Sequence, residues 1–132
     1  MVSRIVVTAL IAMGAFAGQA QQTDAKKEVM AVVEGSIKLI TEKKHAELIK
    51  TYIWPAEVEK LTARFGSVDN AAAEMAKGDS MATVLKALQT AAKLEPAFEG
   101  NGTIARFRFD TQIGRDSGLK LEKLNGKWYL RD

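Results

Sequence analysis

The chain contains a single histidine, His45, and no cysteine. One imidazole leaves room for one general acid or base and excludes a multi-histidine metal site within one chain. Without cysteine there are no disulfides, thiolate metal sites, iron–sulfur clusters or sulfur nucleophiles. His45 ends an apolar stripe beside Lys43, Lys44 and Glu47, with Glu42 three residues earlier as a helix neighbour. A general base needs a pocket, an edge turned to substrate and an orienting carboxylate. The local sequence supplies little of this, so a histidine on a surface or rim is the expectation. Asp110 is the second acid–base candidate. It follows Arg106 and Arg108 at a spacing of two, which sets all three on the strand face opposite Phe107 and Phe109. With the aromatics inside, these charges lie outside, solvated or paired across strands with Lys120 and Glu122.

No P-loop, H-E-x-x-H, G-x-S-x-G or calcium-loop pattern occurs. Gly100 to Ala105 satisfies the letters of the dinucleotide fingerprint, but it precedes a strand instead of opening a helix and is rejected. Asn101-Gly102-Thr103 spells a glycosylation acceptor and reads as a turn. No cofactor and no metal are implied, and no catalytic residue is assigned. The aromatic residues Tyr52, Trp54, Phe107, Phe109 and Trp128 are the candidates for a pocket or an interface. Trp128 alternates with Leu130 as a core residue would, while Trp54 stands at a helix junction where it could rim a pocket.

The elements that must position these residues follow from patterning. With 47% hydrophobic and 27% charged residues in 132, the composition is that of one globular domain and excludes disordered, collagenous and multi-pass membrane classes. Arg4 followed by the apolar run Ile5 to Ala17, too short to span a bilayer, and small residues at Gly18 and Ala20 read as a cleavable export signal. Cleavage after Ala20 would leave residues 21–132 as a single domain, periplasmic or secreted, with no integral membrane segment. The mature net charge would be one below the +3 of the whole chain. Basic and acidic residues are interspersed, so a nucleic-acid partner is not expected.

Val29, Val33, Ile37 and Ile40 recur at helical spacing, interrupted near Thr41. His45, Leu48, Ile49 and Tyr52 mark a second, short helix ending before Trp54. Pro55 opens a third through Val58, Leu61 and Phe65, stopped by Gly66. A short alanine-rich turn over Asn70 to Lys77 is expected next. A fourth helix runs through Met81, Val84, Leu85, Leu88 and Ala92, capped by Asp79 or Ser80. After Lys93 the period becomes two. Strands are predicted near 94–99, 103–110, 117–124 and 127–131, with Asn101-Gly102 and Asn125-Gly126 as hairpin turns and Gly114 to Gly118 as a looser turn. The fold class is α+β: N-terminal helices packed on one face of a four-strand antiparallel meander.

This order of helices followed by hairpins, closing in LEKLNGKWYLRD, resembles the nuclear transport factor two-like superfamily, and in particular its small exported bacterial members. The closing hairpin Leu124-Asn125-Gly126-Lys127-Trp128-Tyr129-Leu130 carries the likeness. The resemblance implies a cone-like fold shared with ketosteroid isomerase and scytalone dehydratase, and a superfamily containing enzymes, ligand binders and interaction modules. The expectation is an exported, non-catalytic binding or interaction domain for a small apolar ligand or a protein partner. The alternatives are a cofactor-free isomerase or dehydratase using an interior acid or Tyr52 with His45, and an envelope module that dimerises through its sheet. Mass spectrometry of the exported protein should return a chain beginning at Gln21, whereas an intact Met1 would refute the signal reading.

Overall fold

The computed structural model describes residues 24–131, so the signal segment and its cut after Ala20 lie outside the described residues. Helix α1 covers 24–41. It is followed by α2 (His45–Tyr52), α3 (Pro55–Phe65), α4 (Val68–Lys77) and α5 (Ser80–Ala91). The strands are β1 (Ala97–Glu99), β2 (Ile104–Ile113), β3 (Asp116–Leu124) and β4 (Lys127–Arg131), paired antiparallel in the order β1-β2-β3-β4. The α+β class is as the patterning predicts. No helix among the described residues is long and apolar enough to cross a membrane.

The helix ends explain the differences. α1 stops in a left-handed turn at Lys43 (φ 62°), with the Lys43 N–H donating to Ile40 O and the Lys44 N–H to Leu39 O. This is the two-bond closure that glycine usually makes, carried here by a lysine. The alanine-rich segment is a full helix, not a short turn. Ser67 caps it, accepting from the Asn70 N–H at 3.0 Å, while the Asn70 side chain donates back to Phe65 O. Asp79 makes no side-chain cap for α5, because its own backbone is already helical and only its carbonyl is used, by Thr83.

In the sheet, Asn125-Gly126 makes the two-residue turn expected, both residues at positive φ. Asn101-Gly102 instead lies within a four-residue loop in which Gly100, Asn101 and Gly102 are all left-handed, and β1 is short because the chain is still turning out of α5 at Leu94. The loose part of the second hairpin is not its turn, which is only Gly114-Arg115. It lies within β2, where the register jumps between Arg108↔Gly118 and Ile113↔Asp116, so that residues 109–112 oppose Ser117 alone. Gly118 faces the Phe107 carbonyl so closely that any Cβ would overlap it.

Inward-facing Ala105, Phe107, Leu121, Trp128 and Leu130 are buried, and they form one cluster with Val29 and Val33 of α1, Leu48 of α2 and Leu88 and Ala91 of α5. Trp128 also donates its indole N–H to Glu28 of α1 at 3.0 Å. A second cluster joins Ile49 of α2 to Ala71 and Ala72 of α4, with Val58, Leu61 and Phe65 of α3 half-covered against it. Ile53 and Met75 touch both clusters. Ile53 forms a parallel bridge with Leu130, and the Trp54 N–H donates to Leu130 O, so this connection covers the outer edge of β4.

Phe107 is 1% exposed, whereas Arg108 beside it is exposed. Phe107→Asp should therefore unfold the domain by burying an unpaired charge, while Arg108→Asp should shift stability by no more than about 0.5 kcal/mol in urea denaturation. The reverse result would mean a register off by one residue.

Candidate functional site

α3 carries an apolar stripe but buries no residue completely. A helix in a small domain normally hides such a stripe against the core. Here its face toward the sheet borders a cavity of about 530 Å³, within the range of small-ligand sites. α3 contributes Leu61 and Glu57, α5 contributes Val84, Ala87 and Leu88, and Ile53 closes the end between them. Leu61 belongs to the α2–α3–α4 cluster and Leu88 to the sheet cluster, so the cavity lies on the seam between the two.

The sheet supplies the third wall through Phe107, Leu119 and Leu130, whose neighbours Arg106, Lys120 and Arg131 also border the cavity but stand on the opposite strand face. β3 pairs with β4 no further than Lys120↔Arg131, so Asp116 to Leu119 have no strand partner on that side among the described residues. That uncovered stretch of β3, with Arg115 before it, forms the mouth. The floor is thus aliphatic and aromatic, and the charged residues that border the cavity are Arg106, Arg115, Lys120 and Arg131 with Glu57 and Asp116. Three of the six are held by carboxylates or lysine elsewhere: Arg106 by Glu99 at 2.9 Å, Arg131 by Glu122 at 3.4 Å, and Glu57 by Lys60 at 3.3 Å.

The side chains singled out in the sequence are not gathered at this groove. Phe107 lines it and the others do not, because the aromatic residues are divided between two faces of the sheet and the helical layer. Trp128 is committed to the core and to Glu28. Trp54 precedes α3 and packs edge-on against Tyr129 at 6.1 Å, with the Arg131 guanidinium 4.3 Å from its ring centre. Its tie to the groove is indirect, through Arg131. Phe109 is half-buried in the bulged part of β2, and Asp110 beside it is exposed. Arg106 stands directly opposite Lys120 and forms its ion pair across to Glu99 of β1.

His45 is half-buried at the start of α2, its Nδ1 covered and without a hydrogen-bond partner among the described residues. Tyr52 lies at the other end of α2, its phenol against the backbone of Gly35 in α1. Neither lines the groove. Among the described residues, no three His, Asp or Glu side chains come together as a metal site would require. Of the groove residues that sequence reasoning did not single out, Leu61, Val84 and Leu88 read there as ordinary helix stripe and Leu119 lies in the strand predicted over 117–124. The incomplete covering of the α3 stripe was the signal, and it exists only in three dimensions.

Comparison with protein-family models, with curated proteins and with solved structures gives no match to this chain.

Gly35 explains why Tyr52 is fixed. A Cβ built there would overlap the Tyr52 hydroxyl and approach its Cζ to 2.9 Å. Gly35→Ala should lower stability by about 1–3 kcal/mol as an overpacking change. Tyr52→Phe in the same chain should recover part of that loss in thermal unfolding, and an additive double variant would show that the two residues do not touch.

Proposed function

We propose that the protein is an exported, non-catalytic binding domain that holds a small ligand with an apolar body in the groove between α3, α5 and the uncovered stretch of β3. The observation that carries this reading is α3 itself. It has an apolar stripe, buries none of its residues fully, and turns Leu61 toward an open cavity floored by Val84, Leu88 and Phe107. Leaving apolar surface wet forgoes about 25 cal/mol for each Å², so a ligand that covers the half-exposed part of this stripe would be stabilised there.

The residues best suited to acid–base chemistry support the same reading by their placement. His45, Tyr52 and Asp110 all stand outside the groove lining. The carboxylates at the mouth are Asp116, which is exposed, and Glu57, which is held by Lys60. A catalytic carboxylate works from a desolvated position beside the reacting atom, and neither has it. The resemblance of the closing hairpin to a superfamily that includes ligand binders agrees with this assignment. A module dimerising through its sheet would need an exposed apolar face. The outer face here presents Arg106, Arg108, Glu122 and Tyr129, and the large hydrophobic residue exposed among the described residues is Leu124, at 37%, beside a turn.

Native mass spectrometry of the protein taken from its own host should show an additional mass on the order of a few hundred daltons, the size a groove of this volume holds. Leu61→Asp should abolish that mass. Because Leu61 is only half-buried, its thermal midpoint should fall by no more than a few degrees. A bare protein that also fails to bind medium-chain alkyl compounds would refute the reading.

A further inference from the structure

Beside the groove the sheet has an open place. β3 pairs with β4 from Leu124 to Lys120, and Asp116 to Leu119 have no strand on that side among the described residues. Asp132, outside the described residues, would by the same register stand opposite Leu119, so the positions at Gly118, Ser117 and Asp116 lie past it. The aim of the free backbone groups follows from two hydrogen bonds elsewhere in the sheet. The Lys123 N–H donates to Thr103 O, on the β2 side, and along a strand successive residues turn their N–H and C=O to alternate sides. Leu121 and Leu119 therefore also turn to β2, while Lys120 turns to β4 and Gly118 turns into the lane where β4 has ended. Leu130, opposite Leu121, agrees, because its carbonyl faces away from β3 and accepts from the Trp54 N–H. Unpaired groups of this kind are a template for one more strand.

The side chains of such a strand are set by those they would oppose, since directly opposed residues share a face of the sheet. The residue opposite Ser117 shares the face of Leu119 and enters the groove, whose lining takes in Ser117 and Leu119 together with Leu61 and Val84. An apolar side chain suits that position. The residue opposite Asp116 meets an exposed carboxylate that makes no ion pair among the described residues. A cation suits that one. We infer that the groove takes a short extended oligopeptide, laid antiparallel to β3 in line with β4, with an apolar residue opposite Ser117 followed by lysine or arginine opposite Asp116. Backbone pairing at Gly118 supplies affinity, and the alternate side chains supply selection. The same free stretch of a second copy, Asp116-Ser117-Gly118-Leu119, carries no cation to set against Asp116 and only one apolar side chain, so it fits this edge less well. The assignment rests on the groove being a ligand site and names the class of ligand it selects.

The test is titration of the isotope-labelled protein, followed by nuclear magnetic resonance, with the pentapeptide acetyl-Val-Thr-Val-Lys-Val-amide, whose threonine would stand opposite Gly118. At saturation the exchange of the Gly118 amide hydrogen should slow by at least about tenfold. Methylating the threonine nitrogen should weaken binding by at least about tenfold, because it removes the donor that faces the Gly118 carbonyl. Glutamate in place of the lysine should weaken binding by at least about threefold, and in Asp116→Lys the order of these two peptides should reverse. Binding of 1-decanol but of none of the peptides overturns the peptide assignment and leaves the groove as an apolar site. Failure of decanol and peptides alike overturns the groove reading as well. Equal binding of the methylated and unmethylated peptides overturns the inference, because no strand has then formed. A Gly118 amide already protected in a dimer, and released on dilution, gives the edge to a second copy and also overturns it.

Discussion

The inner face of the sheet is too narrow for the helices the chain brings to it. Four strands side by side span about 14 Å between the outermost axes. A helix with its side chains is about 10 Å across. α1 and α5 therefore fill the face between them, with Val29, Val33, Leu88 and Ala91 packed on Ala105, Phe107 and Leu121. α2 reaches this cluster through Leu48 at the β4 side, and α3 is left with no sheet to lie on. It packs on α2 and α4 instead, and a second apolar cluster forms that shares Ile53 and Met75 with the first. The groove, its mixed lining and the half-covered stripe of α3 all follow from that lack of room.

The patterning made much of this visible. The period-two run Ala105, Phe107, Phe109 against Arg106, Arg108, Asp110 gives the facing of β2, and Asn125-Gly126 gives the closing hairpin, because each depends on local geometry alone. Helix starts and stops were visible where a residue has one strong conformational preference, as at Pro55 and Gly66. They were hidden where a residue is used against type. Lys43 ends α1 in the left-handed region without being glycine, and Ser67 extends the alanine-rich segment upstream into a full helix. The bulge in β2 left no composition signal: residues 109–112 contain no glycine or proline, and the hairpin tip beyond them lies close to Thr83 at Gly114.

The candidate site was less legible than the fold. Large aromatics were natural suspects, but Trp128 and Phe107 are drawn into the core by the area they bury, and Trp54 turns to the other side of the sheet with Tyr129 and Arg131. The groove is formed by medium-sized aliphatic residues from α3, α5 and β3, far apart in sequence. The basic row on the outer face depends on strand register, because Arg106, Lys120 and Arg131 become neighbours only when three strands pair. No spacing rule along the chain connects them. Charge balance shows the same dependence, since which cation remains uncompensated is decided by diagonal partners such as Glu99 and Glu122, whose reach depends on sheet twist.

The strap formed by Ile53 and Trp54 across the edge of β4 also bears on how the molecule behaves in a crowded solution. A small sheet has two flanks at which a stranger's backbone can dock and grow. On one flank the strap occupies the Leu130 carbonyl, and Pro55, directly after it, turns the chain away into a helix. On the other flank β1 offers only three residues, preceded by Pro96, which has no N–H to give. The edges at β1 and β4 are thus poor templates for runaway stacking, which leaves the Asp116–Leu119 stretch of β3 as the open edge. Edge protection in this domain is made by chain connection and proline alone, since it has no cysteine for a disulfide.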